Sequence, residues 1–157
     1  MSRNSGFSID VLRADPVDKA PSLRDVQATG RILIGEFAET FQMDLSFWSV
    51  GDYRQSWARA LQALDATEVC DSCLVTSITE PESSNFIFCW PLYRRGEDVF
   101  VQNSLIFLDE LEIKFNPEEP WLSVGARQTV NEDGIRISEW KTSISEVRRF
   151  LQMDPDN

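Results

Sequence analysis

Residues 50–66, VGDYRQSWARALQALDA, constrain the fold more than any other segment because they predict a complete amphipathic helix. Apolar side chains recur there at helical spacing and stack on one side. They are Tyr53, Trp57, Ala60, Leu61 and Leu64. Ser49 stands three residues before Asp52, which is the spacing of a helix N-cap and a carboxylate in the first turn. A helix that begins here needs an apolar surface to cover it, and the flanking segments should supply that surface.

The segments around this helix have the composition of β-strands separated by turns. RILIGEFAETF (31–41) has a β-rich core, and LSFW (45–48) is a second candidate strand. Within residues 31–41, the side chains expected to face inward are those of Ile32, Ile34, Phe37 and Phe41. SCLVTSIT, NFIFCWPLYR and EDVFVQNSLIFL follow the helix as a predicted β-meander. VGARQTV and GIRISEW flank the turn NEDG as a predicted hairpin, whereas DELEIKFNPEEPW is expected to be an edge or loop excursion.

A last helix is predicted after Ser143, which stands three residues before Glu146 in the spacing of a capping box. The elements together predict an α+β fold: an antiparallel sheet of about six strands, with one inserted helix and one C-terminal helix. Residues 1–28 mix charges, serine and prolines with isolated apolar positions, so we expect a flexible N-terminal arm there. Residues 29–157 are expected to form a single domain.

Cellular location can be predicted from the lack of targeting signals and from cysteine usage. The sequence has no apolar run of membrane-spanning length and no hydrophobic stretch near its start that could serve as a signal peptide. Its three cysteines are few and odd in number, as is usual for reduced intracellular thiols. We therefore expect a cytoplasmic protein without a membrane partner.

The charge balance points toward a basic partner. The chain has 26 acidic and 15 basic residues, no histidine and a formal net charge of −11. Such a surface repels nucleic acid and anionic lipid and attracts a basic protein, although acidity can also serve solubility alone. Residues 97–119 carry a formal charge of −6, more than half of the total. The carboxylates of this segment are the candidate partner-binding residues: Glu97, Asp98, Asp109, Glu110, Glu112, Glu118 and Glu119.

The motifs of known chemistry are weak or missing. Without histidine there is no His-based triad and no His ligand for zinc. The CDSC motif at Cys70 to Cys73 has the spacing of a zinc or redox pair, but only Cys89 remains as a third thiolate. Glycine-rich nucleotide-binding motifs do not occur, so no cofactor is expected. No metal is expected either, because the chain has no histidine and only three thiolates. A small cytosolic enzyme that uses carboxylates or a cysteine remains the alternative function.

Four blocks of the sequence resemble the immunity proteins of bacterial contact-dependent growth inhibition, the CdiI-like family. They are FWSVGDYRQSWARAL, CLVTSI, FIFCWPLYRRGEDVFVQNSLIFL and GIRISEW followed by a helix, and together they span roughly residues 36–151. The resemblance implies an antitoxin that binds the C-terminal toxin domain delivered by a neighbouring cell, commonly a nuclease. It also implies stoichiometric inhibition without catalysis. The matched blocks are expected to be scaffold, with Trp48 and Trp57 in the core beneath the corner that Ser49 and Asp52 cap.

Overall fold

The computed structural model describes residues 6–15 and 27–153, which form eight β-strands and two α-helices. The strands are β1 (Phe7–Asp15), β2 (Gln27–Ile34), β3 (Phe37–Asp44), β4 (Val69–Ser77), β5 (Phe86–Arg95), β6 (Asp98–Gln102), β7 (Ser104–Phe107) and β8 (Glu139–Ser143). The helices are α1 (Val50–Ala66) and α2 (Ile144–Met153). Short 3-10 turns lie at Pro81–Ser83, Leu108–Glu110 and Pro120–Ser123.

The helix predicted over residues 50–66 is confirmed with the same bounds. Its capping box is complete: the Asp52 backbone N–H donates to Ser49 Oγ at 3.1 Å, and the Ser49 N–H donates to Asp52 Oδ2 at 3.0 Å. The C-terminal helix is capped similarly, because the Glu146 N–H donates to Ser143 Oγ at 3.2 Å. Each cap satisfies an N–H group that the first turn of a helix leaves without a partner.

The first sheet is antiparallel with the order β1-β2-β3. A tight turn joins β2 to β3 at Gly35, whose φ of 63° lies in the left-handed region that favours glycine. Ile32 and Ile34 are buried, as predicted, whereas Phe37 and Phe41 are only partly buried. The Phe41 ring lies directly over Gly30, where a Cβ atom would come within 2.4 Å of Cε1.

The N-terminal segment differs from its prediction. The flexible arm was expected over residues 1–28, but Phe7–Asp15 form β1 and pair with β2 from Phe7 opposite Ile34 to Asp15 opposite Gln27. Phe7 and Ile9 are buried, and the Phe7 ring packs edge-on against Phe150 at 5.7 Å. The apolar positions that looked isolated alternate with polar ones, which is the period of a strand with one buried face. Residues 1–5 and 16–26 of the expected arm lie outside the described residues, and the division at residue 28 stays a prediction.

The second sheet has the order β4-β5-β6-β8, and β7 pairs with the first half of β5. The meander of three segments is confirmed. LSFW is not a strand, since β3 ends at Asp44 and residues 45–48 form turns that lead into α1. The hairpin predicted around NEDG is reduced to a single bridge between Val130 and Arg136. The last strand pairs with β6 instead, with Trp140 opposite Val101.

Apolar contacts between α1 and the two sheets form the core. Trp57 is 2% exposed, and its indole N–H donates to the Val75 carbonyl of β4 at 2.7 Å. The fully buried Tyr53 donates its hydroxyl hydrogen to the Asp44 carbonyl at 2.6 Å and accepts the Ile78 N–H at 3.0 Å. The α+β class is therefore confirmed, but its antiparallel strands divide into sheets of three and five rather than one sheet of about six.

Candidate partner-binding surface

The aromatic segment at residues 45–57 belongs mainly to the scaffold. Trp57 and Tyr53 are buried, and Trp48 is partly buried with its ring edge-on to Tyr53 at 5.2 Å. Burial raises the pKa of the Tyr53 hydroxyl far above its ordinary value, so the hydroxyl stays protonated and can donate its hydrogen bond. The core position predicted for Trp57 is confirmed, whereas Trp48 lies at the edge of the core.

The seven candidate acids fall into three groups. Glu97 and Asp98, the turn acids, lie where β5 turns into β6, and Asp98 is 4.0 Å from Lys141 Nζ. The strand-end acids follow β7 along the chain; they are Asp109, Glu110 and Glu112. The helix-side acids are Glu118 and Glu119, and the Glu118 carboxylate lies 3.7 Å from the guanidinium of Arg59 on α1. All seven are exposed except Asp98, which is half-buried.

These groups do not form one continuous patch. The turn acids follow Arg95, the last residue of β5, after Gly96. The strand-end acids lie near the other end of β5, where Phe107 pairs with Phe86 and the Leu108 N–H donates to the Asn85 carbonyl at 2.9 Å. A ten-residue strand separates those two groups by about 30 Å. The acidic segment that looks continuous in sequence therefore presents separate negative regions in space.

Three exposed phenylalanines, which the sequence patterns did not single out, lie next to the strand-end acids. We call Phe86, Phe88 and Phe107 the aromatic face; their exposed fractions are 40%, 47% and 44%. Phe86 lies edge-on to Phe88 at 5.4 Å and 6.3 Å from Phe107, its cross-strand partner on β7. Phe86 and Phe88 alternate along β5 with the buried Ile87 and Cys89, so they lie on the same side of the strand. This alternation is the feature of the sequence that could have indicated the aromatic face.

The cysteines occupy positions that restrict their chemistry. Cys73 and Cys89 are buried and adjacent, and the hydrogen bond with Cys89, together with burial, raises the pKa of the Cys73 thiol well above its ordinary value. Cys70 is half-buried, and its Sγ lies 3.2 Å from the Leu64 carbonyl. The CDSC motif lies within β4, away from the helix N-terminus that would activate a thiolate. Across residues 6–15 and 27–153, no group of three His, Cys, Asp or Glu side chains is placed to hold a metal ion.

An ion pair anchors the long excursion between β7 and β8. Arg127 forms a bidentate pair with Glu139 at 2.7 and 2.8 Å, and its guanidinium lies 4.0 Å from the centre of the Phe100 ring. The hydrogen bond from Arg127 lowers the pKa of the Glu139 carboxyl, which also accepts from Gln102 at 2.9 Å. This pair fixes the excursion to the sheet, since Glu139 is the first residue of β8 and Phe100 lies in β6.

Neither described helix has the length and apolar content needed to cross a membrane. The fold and the exposed residues instead define a small acidic α+β protein with a cluster of exposed aromatic side chains, and such exposed apolar clusters mark protein-binding surfaces.

Comparison with known proteins agrees with this class. The family model of the CdiI N-terminal domain matches residues 43–150. The immunity protein CdiI of Enterobacter cloacae is 40% identical over 119 residues, which are 76% of this chain and 81% of that protein. A chain in the solved CdiA-CT/CdiI toxin and immunity complex from Enterobacter cloacae superposes with a TM-score of 0.80 at 33% identity, covering 93% of this chain and 96% of that one. This chain belongs to the CdiI family of immunity proteins, and the resemblance seen in its sequence is confirmed.

Proposed function

We propose that this protein binds a cognate CdiA-CT toxin domain in the cytoplasm and neutralises it by occupying the toxin's surface, without catalysis. The observation that carries the proposal is the structural match, because nearly the whole chain superposes on a chain solved in a toxin and immunity complex. Burial supports occupation over catalysis for two of the three described thiols, since Cys73 and Cys89 are at most 1% exposed.

The charge of the chain supports a nuclease as the toxin. A nuclease has to attract a polyanionic substrate and therefore presents basic side chains around its active site. A protein with a formal net charge of −11 is complementary to such a surface. Complementary charge accelerates association and makes it dependent on ionic strength, which suits an inhibitor that has to intercept its toxin before damage occurs.

A co-expression experiment tests this function. A candidate cognate CdiA-CT domain, sought in the reading frame upstream of the gene for this chain, is expressed in a bacterial host, alone and together with the protein carrying an affinity tag. We expect growth arrest by the toxin domain alone, normal growth with both, and recovery of the toxin domain with the tagged protein. Growth arrest despite abundant folded protein, or no recovery of the toxin domain, would contradict the proposal.

A further inference from the structure

The phenylalanines of the aromatic face are exposed to solvent, unlike the tryptophan of β5. On the same strand, Trp90 is 1% exposed because Phe37 and Trp140 pack against it at 6.3 and 5.7 Å. The half of β5 that contains Phe86 and Phe88 is covered by no comparable side chain among the described residues. A large aromatic side chain buries about 150–250 Å² when covered, so three adjacent rings leave substantial apolar surface in water.

Carboxylates border this face. Asp109 and Glu110 follow Phe107 after the single residue Leu108, and Glu112 is close behind them in the chain. The side chain of Lys114, a cation in the same segment, is already paired with Glu82 at 3.1 Å. The segment that follows β7 therefore adds negative charge at one edge of the exposed rings. Of the three acid groups, the strand-end acids are the ones that lie within a few residues of an exposed phenylalanine of this face.

An apolar centre with a charged rim has the anatomy of a protein interface with a central hot spot. An arginine-rich partner fits it, since a guanidinium can stack on a phenylalanine ring and pair with a carboxylate beside it. Nucleic acid and anionic membranes do not fit, because the carboxylates would repel both.

From these observations we infer that a cognate toxin domain docks on the aromatic face, with basic side chains of the toxin against Asp109, Glu110 and Glu112. The inference rests on the proposed function and adds a location to it. The phenylalanines slow dissociation of the complex by excluding water, and the strand-end acids accelerate its formation.

Binding kinetics with the purified toxin domain test the location. Phe88→Ala and Phe107→Ala remove exposed rings, and Ile135→Ala is the matched control because Ile135 is 62% exposed on the turn that follows Val130. We expect each phenylalanine variant to dissociate about 10- to 30-fold faster than wild type, whereas the control stays within about twofold. Thermal unfolding establishes that every variant is folded.

A charge-matched pair tests the rim. Glu110→Lys and Glu119→Lys change the net charge equally and both replace exposed side chains. We expect Glu110→Lys to slow association at low salt several times more than Glu119→Lys. Equal slowing by both variants would mean that net charge alone steers binding and would overturn the assigned role of the rim.

Two further outcomes would overturn the docking face while leaving the proposed function intact. One is wild-type binding kinetics for both phenylalanine variants. The other is a dimer of the protein alone that both variants dissociate without changing toxin binding, because a second copy would then occupy the face. Failure of the wild-type protein to bind its toxin would instead overturn the proposed function, and the docking face with it.

Discussion

Replacing Trp57 by alanine removes the largest side chain that α1 contributes to the core. Trp57 is 2% exposed, lies against Phe41 and Tyr53 with ring centres 6.3 and 6.2 Å away, and donates to the Val75 carbonyl. Removal of a buried tryptophan costs about 3–5 kcal/mol through lost burial and the cavity that remains. We expect a value near the upper end because the Val75 carbonyl also loses its donor.

Urea unfolding followed by far-ultraviolet circular dichroism measures this effect. With a denaturant slope of about 2 kcal/mol per M, the midpoint should fall by about 1.5–2.5 M. Trp57→Phe is the control, since it keeps an aromatic ring and should lose clearly less stability. A midpoint within about 0.3 M of wild type, together with lost toxin binding, would refute the assignment of Trp57 to the scaffold and place it in the interface.

Three further predictions concern the buried hydroxyl, pH and salt. Tyr53→Phe leaves the Asp44 carbonyl and the Ile78 N–H without their partner, so the free energy of unfolding should fall by about 2–4 kcal/mol in urea titrations; an unchanged value would contradict the assigned hydrogen bonds. The lowered pKa of Glu139 means that its pairing with Arg127 stabilises the fold at neutral pH and ceases to do so as the pH falls through that pKa. The stability difference between wild type and Glu139→Gln should therefore narrow on acidification from pH ~7 to pH ~3, and a constant difference would argue against the pair. Association with the toxin domain should slow about tenfold between ~0.05 and ~0.5 M salt in stopped-flow measurements while dissociation changes little, and salt-independent association would exclude electrostatic steering.

The sequence predicts an element best where local chemistry and tertiary contacts agree. The bounds of α1 could be predicted to the residue because the Ser49 cap, the helical period and the need for burial all specify the same segment. The strand β1 could not be predicted in this way, since its alternation of apolar and polar residues lies in a charged segment. The alternation corresponds to a strand only when β2 pairs with it. The pairing of β8 with β6 also depends on a partner about 40 residues earlier in the chain, which no local turn signal indicates.

The candidate site shows the same division between local and tertiary information. Charge counts identified the acidic segment. The turn acids and the strand-end acids are nevertheless separate in space, because they lie at opposite ends of the ten-residue strand β5. Exposure of the aromatic face also depends on tertiary structure. Trp90 and Phe88 have the same alternation on the same strand, yet Phe37 and Trp140 cover only Trp90.

Titration of the toxin domain with this protein tests most directly whether it acts by occupation. The activity of a fixed amount of toxin domain, which is cleavage of nucleic acid for the proposed nuclease, is measured while the protein is added in steps. We predict that the activity of the toxin domain falls linearly and disappears at the equimolar point, because each molecule of this protein inhibits the one toxin domain that it binds. Inactivation of the toxin by far less than an equimolar amount would reveal turnover, and full toxin activity in the presence of a large excess of the protein would contradict neutralisation altogether.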